Sequence, residues 1–295
     1  VIGSDPFGNE MVKLMQANGI NAENIVIQEQ NWSTHVYAKP YIADVEQNRL
    51  DFGNFNELSK ETSDRLIGLL ESAISGVDAV IINQQVLSGI HTAYFREQLV
   101  EVIQRFPEKI FIADSRHYSD AYDGTYRKIN EREAVHFIGL EKDSGDRVSY
   151  SEVKEAALKL YKKYGKPLFI TRGERGSIVV DENGITDIYA LMIMAEVDTV
   201  GAGDSYLAGA AATLAAGYDI RLAAEIGSYV AGVTVQKLFQ TGTATPEEIL
   251  QIGSDPDFIY HPELAEDIRY AKYWHDSEIE IVNEWSQPLH VKHVI

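Results

Sequence analysis

The chain carries the stretch Asp198-Thr-Val-Gly-Ala-Gly-Asp204, which decides its fold. An apolar run beginning at Leu191 precedes this stretch, and small residues from 205 to 216, typical of a buried helix, follow it. Glycines let the backbone turn sharply and come close to a ligand. Because the N–H groups at a helix start favour an anion, the stretch predicts a phosphate-binding loop.

Asp204 places a carboxylate in the first turn of the predicted helix. A carboxylate repels a bound phosphate, so its presence fits a group that takes a proton from an attacking hydroxyl. Two alternatives stay open. A dinucleotide fingerprint would need a third glycine where this chain has Tyr206. A helix capped by glycine and Asp204, with no ligand, is the plainer interpretation.

Composition limits the classes of function. The chain has 295 residues, 45% hydrophobic and 24% charged, which fits one large α/β domain or two small ones. The formal net charge of −19 argues against nucleic acid or an anionic membrane as partner. Cysteine is absent, which excludes disulfides, thiolate metal sites and a cysteine nucleophile and fits a cytoplasmic protein. No apolar run approaches the ~18 residues of a membrane span.

Apolar runs alternate with helical patterns, which predicts βαβ units and a mainly parallel sheet. The predicted strands are residues 24–28, 79–83, 110–114, 167–171, 177–181 and 186–189. The predicted helices are residues 9–17, 58–74, 92–106, 152–164, 203–216 and 221–238, with capping boxes at Ser149 and Thr245. Residues 34–43 and 48–52 are strand-like with no helix between them. They predict a hairpin, either at the sheet edge or as a lid that excludes water from a cleft.

Three further patterns fit phosphoryl transfer, and each has a structural alternative. Asn130 and Glu133 share one face of a helix start, where they would organise hydrated Mg²⁺ or simply cap the helix. The glycines of Thr171-Arg-Gly-Glu-Arg-Gly176 suit a nucleotide loop or a tight turn between strands. The apolar run from Tyr229 to Lys237 suits the wall of an adenine pocket or a core helix.

The order of these signals resembles the ribokinase (PfkB) family of carbohydrate kinases. Asn-x-x-Glu is followed by Thr-x-Gly-x-x-Gly, then by Gly-Ala-Gly-Asp, then by an Ala-Gly-rich helix ending at Lys237. The resemblance extends to about Leu250. It implies a three-layer α/β/α sandwich with a small β lid, and ATP-dependent phosphorylation of a hydroxyl on a sugar or sugar phosphate.

Within that family the chain looks most similar to kinases of heptose 7-phosphate. The similarity lies in Gly3-Ser-Asp-Pro-Phe-Gly8, in Asn48-Arg-Leu-Asp51 of the lid, and in the segment from Ala231 to Pro246. The chain departs from those kinases at Asn83-Gln-Gln85 and at Asp114-Ser-Arg116, two places that lie near the substrate in the family.

The resemblance also assigns roles to residues. It implies that Asp204 is the general base and that the N–H groups of Gly201, Ala202 and Gly203 form an anion hole. Mg²⁺ is expected at Asn130 and Glu133, and a monovalent cation such as K⁺ at carbonyls around Asp198 and Val200. Nucleotide contacts are expected from Thr171, Gly173, Gly176, Thr199, Ser228 and Val233.

The same resemblance implies a kinase domain over residues 1–255, a lid at about 32–53, and an extension or linker over 256–295. The family's usual N-terminal part, which carries sugar-gripping residues, is expected to be absent before Val1. A phosphatase domain of the haloacid-dehalogenase type is expected after Ile295. Lid pairing predicts a homodimer. Two other functions stay open: a nucleotide-binding sensor or scaffold without turnover, and an NAD-dependent oxidoreductase, which Tyr206 disfavours.

Overall fold

The computed structural model describes residues 1–43, 45–143, 146–259, 279–282 and 288–291. Within these ranges the chain divides into two units, Val1–Thr125 and Tyr126–Ile295. Most predictions for the extension over 256–295, including the ending at Ile295, lie outside the described residues.

The first unit contains three helices: α1 (Pro6–Ala17), α2 (Lys60–Ala73) and α3 (Ala93–Arg105). The predicted helix over 9–17 begins three residues earlier, because Asp5 caps it and Pro6 takes the first position. The Asp5 carboxylate accepts from Gly8 N–H at 2.9 Å. Ser59 and Thr92 cap the other two helices in the same way.

The predicted hairpin is present in the first unit. Strand β1 (Val36–Ala38) pairs antiparallel with β4 (Leu50–Phe52), and β2 (Tyr41–Ile42) pairs antiparallel with β3 (Val45–Glu46). These four strands pair with one another, separately from β5 (Ala79–Gln84) and β6 (Ile110–Ser115), which form a parallel pair. The prediction of a hairpin standing off the main sheet is confirmed.

The core of the first unit lies between α2, α3 and the parallel pair. Ten buried side chains form it, among them Ile82 on β5, Phe111 on β6 and Val102 on α3. The strand predicted over 24–28 is wrong, because only one isolated parallel bridge joins Ile27 to Ile2. The pairing ends there since the chain after Gly3 turns at once into the cap of α1.

The second unit is built on a mixed sheet. Strand β7 (Tyr126–Asn130) runs parallel to β8 (Leu168–Thr171), which pairs antiparallel with β9 (Ser177–Asp181), and β9 pairs antiparallel with β10 (Gly184–Ile188). Two antiparallel pairs follow: β11 (Ala190–Leu191) with β12 (Phe258–Ile259), and β13 (Ile279–Val282) with β14 (Pro288–Val291). The prediction of strand 186–189 is two residues late, since the pairing begins at Gly184.

Strand β7 escaped prediction because its residues do not look apolar. Arg127 is only 1% exposed and Lys128 only 8%. The Arg127 guanidinium lies 3.5 Å from the ring centroid of Tyr164, so a cation–π contact accommodates its burial. Two buried cations in one short strand hide the alternation on which strand prediction depends.

In its described residues, the second unit also contains five α-helices. They are α4 (Glu131–Phe137), α5 (Tyr150–Tyr164), α6 (Ala202–Ala215), α7 (Ile220–Thr234) and α8 (Pro246–Ser254). The predicted capping boxes are confirmed at Ser149 with Glu152 and at Thr245 with Glu248. Helix α7 ends four residues before the predicted end at 238, so Lys237 lies in the following turn. The core packs α4 and α5 against β7–β10, with Ile129, Leu168, Ile170 and Val180 fully buried.

Candidate active site

The start of α6 is shaped by two glycines. Gly201, the N-cap, has a φ of 80°, a left-handed conformation that favours glycine. Gly203 permits a close approach instead: a Cβ at this position would lie 2.8 Å from the Nζ of Lys128. The ammonium of Lys128, on the nearly buried strand β7, therefore lies against the first turn of α6. The positive end of the helix and a lysine charge meet at one place.

Asp204 is the third residue of α6 and is exposed to solvent. Its carboxylate stands in the same helical turn as Gly203, beside which the Lys128 ammonium lies. The structure thus brings an acidic group and a cation together at a helix N-terminus. Because a lysine offers charge to a phosphate that Asp204 alone would repel, this pairing suits a phosphate-handling site.

The loop before α6 is held by its own backbone. Ala202 N–H donates to the Thr199 carbonyl at 3.1 Å, and Val200 N–H donates to the Asp198 carboxylate at 3.0 Å. Asp198 N–H in turn donates to the Val235 carbonyl at 2.7 Å. The amide of Ala202, expected in the anion hole, therefore already has an acceptor within the loop.

Asn130 and Glu133 form a reciprocal capping box at the start of α4. The Asn130 side chain accepts from Glu133 N–H at 2.9 Å, and the Glu133 carboxylate accepts from Asn130 N–H at 2.8 Å. The structural alternative weighed for this motif is therefore present. Across the parallel pair, Asn130 is in register with Thr171. The motif consequently adjoins the loop that carries the nucleotide prediction.

That loop is a tight turn between the antiparallel strands β8 and β9. Arg172 N–H donates to the Gly176 carbonyl at 2.8 Å, and Gly173–Arg175 form one turn of 3-10 helix. A Cβ at Gly176 would lie 2.1 Å from the Ile188 carbonyl oxygen, so no other residue fits. The tight-turn alternative is present, and the nucleotide contact of Thr171, Gly173 and Gly176 stays a prediction.

Three charged side chains that the sequence did not single out lie behind this loop. The side-chain exposures of Arg172, Arg175 and Glu131 are 2%, 8% and 13%. Arg175 donates to the Glu131 carboxylate, and Arg172 Nε lies 3.6 Å from the same group. Burial raises the pKa of Glu131, while Arg175 and then Arg172 counteract that rise.

The two residues expected near adenine belong to α7. Ser228 donates its hydroxyl to the Ala224 carbonyl of its own helix at 3.0 Å, and Val233 is 7% exposed. Tyr206 on α6 is a core residue, with its hydroxyl 3.0 Å from that of Ser177. Burial raises the Tyr206 pKa. Position 206 thus serves packing, which agrees with the rejection of a dinucleotide fingerprint.

In the hairpin of the first unit, the motif Asn48-Arg-Leu-Asp51 contains a two-point ion pair. Arg49 donates to the two oxygens of the Asp51 carboxylate at 2.6 and 2.8 Å, and its guanidinium lies 4.7 Å from the centroid of the Tyr37 ring. Hydrogen bonds from Arg49 lower the pKa of Asp51.

In the same unit, Gln84 is buried and accepts from Ser115 Oγ and His117 N–H, both at 2.9 Å. Gln84 and Ser115 each belong to one of the two segments that differ from the heptose 7-phosphate kinases. Both therefore have a packing role.

Within the described ranges, no group of three or more His, Asp or Glu side chains is arranged to hold a metal ion. None of the helices within the described ranges is both long and apolar enough to cross a bilayer.

Solved structures with this fold include ribokinase from Thermotoga maritima. It aligns with a TM-score of 0.66 at 20% identity, over 86% of this chain and 80% of that one. Phosphofructokinase-2 from Escherichia coli, solved in complex with potassium, aligns with a TM-score of 0.68 at 15% identity, over 86% and 79%. The predicted ribokinase-like α/β/α fold is confirmed.

Curated relatives include two proteins named bifunctional protein HldE. The one from Sulfurimonas denitrificans is 29% identical over 247 residues, covering 83% of this chain and 49% of the relative. The one from Trichlorobacter lovleyi is 28% identical over 302 residues, covering 100% and 60%. The chain thus spans about half to three fifths of these relatives. Since the sequence model described as pfkB family carbohydrate kinase matches residues 1–248, the chain belongs to the pfkB family of carbohydrate kinases.

Proposed function

We propose that this chain transfers the γ-phosphoryl group of ATP to a hydroxyl of a sugar or sugar phosphate. The observation that carries the proposal is the start of α6, where Asp204 and the Lys128 ammonium lie at one helix N-terminus. Membership of a carbohydrate kinase family supports the reaction class. Nothing in the chain provides the glycine fingerprint of a dinucleotide enzyme.

ATP supplies the phosphoryl group when bound, and the chain supplies the base. Asp204 is exposed on the first turn of α6, where a hydroxyl can approach it. Its carboxylate takes the hydroxyl proton as the oxygen attacks, which typically contributes roughly 10²–10⁴-fold to the rate.

We assign charge stabilisation to the same turn. The N–H groups of Gly201 and Gly203 are the proposed backbone donors, and the Lys128 ammonium, which lies against Gly203, is the proposed cation. Such preorganised donors act most strongly where water is excluded. Ala202 joins them only by giving up its hydrogen bond to Thr199. Lys128 is an addition to the sequence prediction, because a lysine inside a strand carries no signal that it reaches a helix start.

The capping box limits how Mg²⁺ is held. The Glu133 carboxylate accepts the Asn130 N–H through one of its two oxygens, and a carboxylate can accept several hydrogen bonds at once. Since Mg²⁺ usually retains several waters, Asn130 and Glu133 fit water-mediated contact. Carbonyls around Asp198 and Val200 are the proposed K⁺ ligands. The potassium in the Escherichia coli phosphofructokinase-2 structure supports that choice by analogy.

A heptose-phosphate-like acceptor is the finer proposal. It rests on the similarity through Asn48-Arg-Leu-Asp51, whose ion pair fixes a short segment of the lid. The match of residues 1–248 to the family supports a kinase domain over about 1–255. ATP as the phosphoryl donor and the absence of cysteine support a cytoplasmic location.

The lid offers an apolar surface to a second copy of the chain, and we place a homodimer contact there. Six of its apolar or aromatic side chains are between 37% and 67% exposed, and exposed apolar patches of this kind mark interaction sites. They are Tyr37, Tyr41, Ile42, Val45, Leu50 and Phe52.

The test is ADP release with a panel of sugars and sugar phosphates, using the wild-type protein and Asp204→Asn. The variant should bind ATP normally and lose roughly 10²–10⁴-fold in kcat, the usual size for a general base. Near-normal turnover by Asp204→Asn would refute the base assignment. Nucleotide affinity in the wild type with no ATP consumption on any acceptor would favour the sensor or scaffold function instead.

A further inference from the structure

The cluster of Glu131, Arg172 and Arg175 is almost wholly removed from solvent. Arg175 donates to the Glu131 carboxylate and also to the Val148 carbonyl at 3.2 Å. Arg172 lies 3.6 Å from the same carboxylate at its Nε, and its guanidinium is 5.2 Å from the centroid of the Tyr150 ring. One carboxylate therefore serves two guanidinium groups.

The position of these residues along the chain links two functional predictions. Glu131 is the first residue of α4 and lies between Asn130 and Glu133. Both arginines belong to the turn from Thr171 to Gly176, and one of them ends its 3-10 helix. The two arginines of the turn are thus buried against the helix start that follows β7.

Stability alone gives a weak reason for such a cluster. Removing charges from water costs several kcal/mol per ion, and apolar residues of similar size often serve folding as well or better. What the cluster adds is one directed, charge-assisted hydrogen bond from Arg175 to Glu131 and a charge contact from Arg172 to the same carboxylate. The turn between β8 and β9 is consequently held at one distance and angle from the start of α4.

We propose that Glu131 is a positioning residue that holds the Thr171–Gly176 turn in its nucleotide-binding arrangement through Arg172 and Arg175. This inference rests on the proposed function, since it assigns a role in ATP affinity. Glu131 itself touches no substrate in this proposal. Its loss should loosen the turn and weaken ATP binding, with little effect on the acceptor sugar.

The experiment compares wild type with Glu131→Gln, and uses Glu155→Gln as the matched control. The control removes one negative charge as well, but from an exposed pair with Lys159 on α5. Binding of a non-hydrolysable ATP analogue is measured by titration calorimetry, and backbone hydrogen exchange is followed over residues 173–176. In metal sites, loss of an outer-shell partner costs roughly 10–100-fold. We expect about tenfold weaker analogue binding for Glu131→Gln, at the lower end of that range.

The expected pattern is specific to positioning. KM for ATP rises with analogue Kd, KM for the acceptor and kcat stay near wild type, and exchange in the turn accelerates. Arg175→Lys keeps the charge and loses the fork, so it should shift ATP affinity in the same direction by less. If Glu131→Gln fails to fold, the ATP affinity of Arg175→Lys tests the positioning role instead.

The outcomes separate the two proposals. If the wild type binds no analogue, the proposed function is wrong and the positioning role falls with it. If the wild type binds and both variants match Glu155→Gln in affinity and exchange, only the positioning role is wrong. A uniform loss of kcat and of affinity for both substrates would also overturn it, because that pattern reports general damage.

Discussion

Replacing Gly203 by alanine should separate the stability of this protein from its activity. The new Cβ would stand 2.8 Å from Lys128 Nζ, whereas ordinary contact begins at 3.4 Å. The ammonium must therefore retreat by at least about 0.6 Å, the difference between those distances. A lysine end is flexible, so the retreat itself is easy and the fold should tolerate it.

The magnitude follows from two opposing effects. Alanine inside a helix is favoured over glycine by roughly 0.5–1 kcal/mol, so unfolding should become slightly harder. Displacing a catalytic group by about 1 Å can cost around 100-fold, so a 0.6 Å retreat of Lys128 should lower kcat by about tenfold. Gly203→Ala should accordingly be at least as stable as wild type and clearly slower.

The assay pairs thermal unfolding with ADP release on the best acceptor. Gly68→Ala is the matched control, because Gly68 lies inside α2 and a Cβ there meets no atom within 4 Å. It gains the same helix preference without touching Lys128. A double variant with Lys128→Met tests the route: if Gly203→Ala acts through Lys128, it should add little to the loss that Lys128→Met causes.

Two results would refute this reasoning. Wild-type kcat in Gly203→Ala would show that the position of the Lys128 ammonium does not matter. A melting temperature of Gly203→Ala below that of wild type, while Gly68→Ala melts at or above it, would show that the first turn of α6 cannot take a methyl group. In that case the loss of activity would report damage to the fold.

Three more outcomes are expected. Glu133→Gln keeps a side chain that can complete the capping box, so its stability should stay near wild type while the Mg²⁺ concentration for half-maximal rate rises. An unchanged Mg²⁺ dependence would mean that Glu133 only caps the helix. Burial lowers the pKa of His91 to about 4, against 6.5 in the unfolded chain. The free energy of unfolding, measured with urea, should therefore rise by up to about 3 kcal/mol between pH 4 and pH 6.5 and level off above that range. His91→Asn should flatten the dependence of the unfolding free energy on pH. A dependence as steep as that of wild type would contradict its attribution to His91. Ile42→Glu on the lid should shift sedimentation from dimer to monomer, and a monomeric wild type would rule out the lid contact.

The sequence predicts the parts of this protein that depend on local chemistry. Helix starts at Ser149 and Thr245 were predicted from residues three apart, because capping boxes are local. Gly201 and Gly203 predicted a sharp turn and a close approach of the backbone for the same reason. The parallel strands β5, β6 and β8 were predicted from short apolar runs.

What the sequence did not predict depends on contacts between distant residues. Glu131 and Arg175 are 44 positions apart, so their pairing leaves no local pattern. Lys128 and Arg127 are buried charges in a strand, and composition alone would place both in water. The candidate site was therefore proposed from its glycines and its acid, and the cations that neighbour them left no signal in the sequence.

The hydrogen bond from the Ala202 N–H to the Thr199 carbonyl affects the heat that phosphate binding at the start of α6 would release. Its 3.1 Å length means that this amide has an acceptor before any phosphate arrives. A phosphate that captured it would exchange a neutral oxygen for an anionic one, and the number of N–H bonds at Ala202 would not increase. The gain is then chiefly electrostatic, since charge-assisted bonds are the stronger kind. Nucleotide affinity measured by calorimetry should accordingly weaken as ionic strength rises, in proportion to how open this helix end is to solvent.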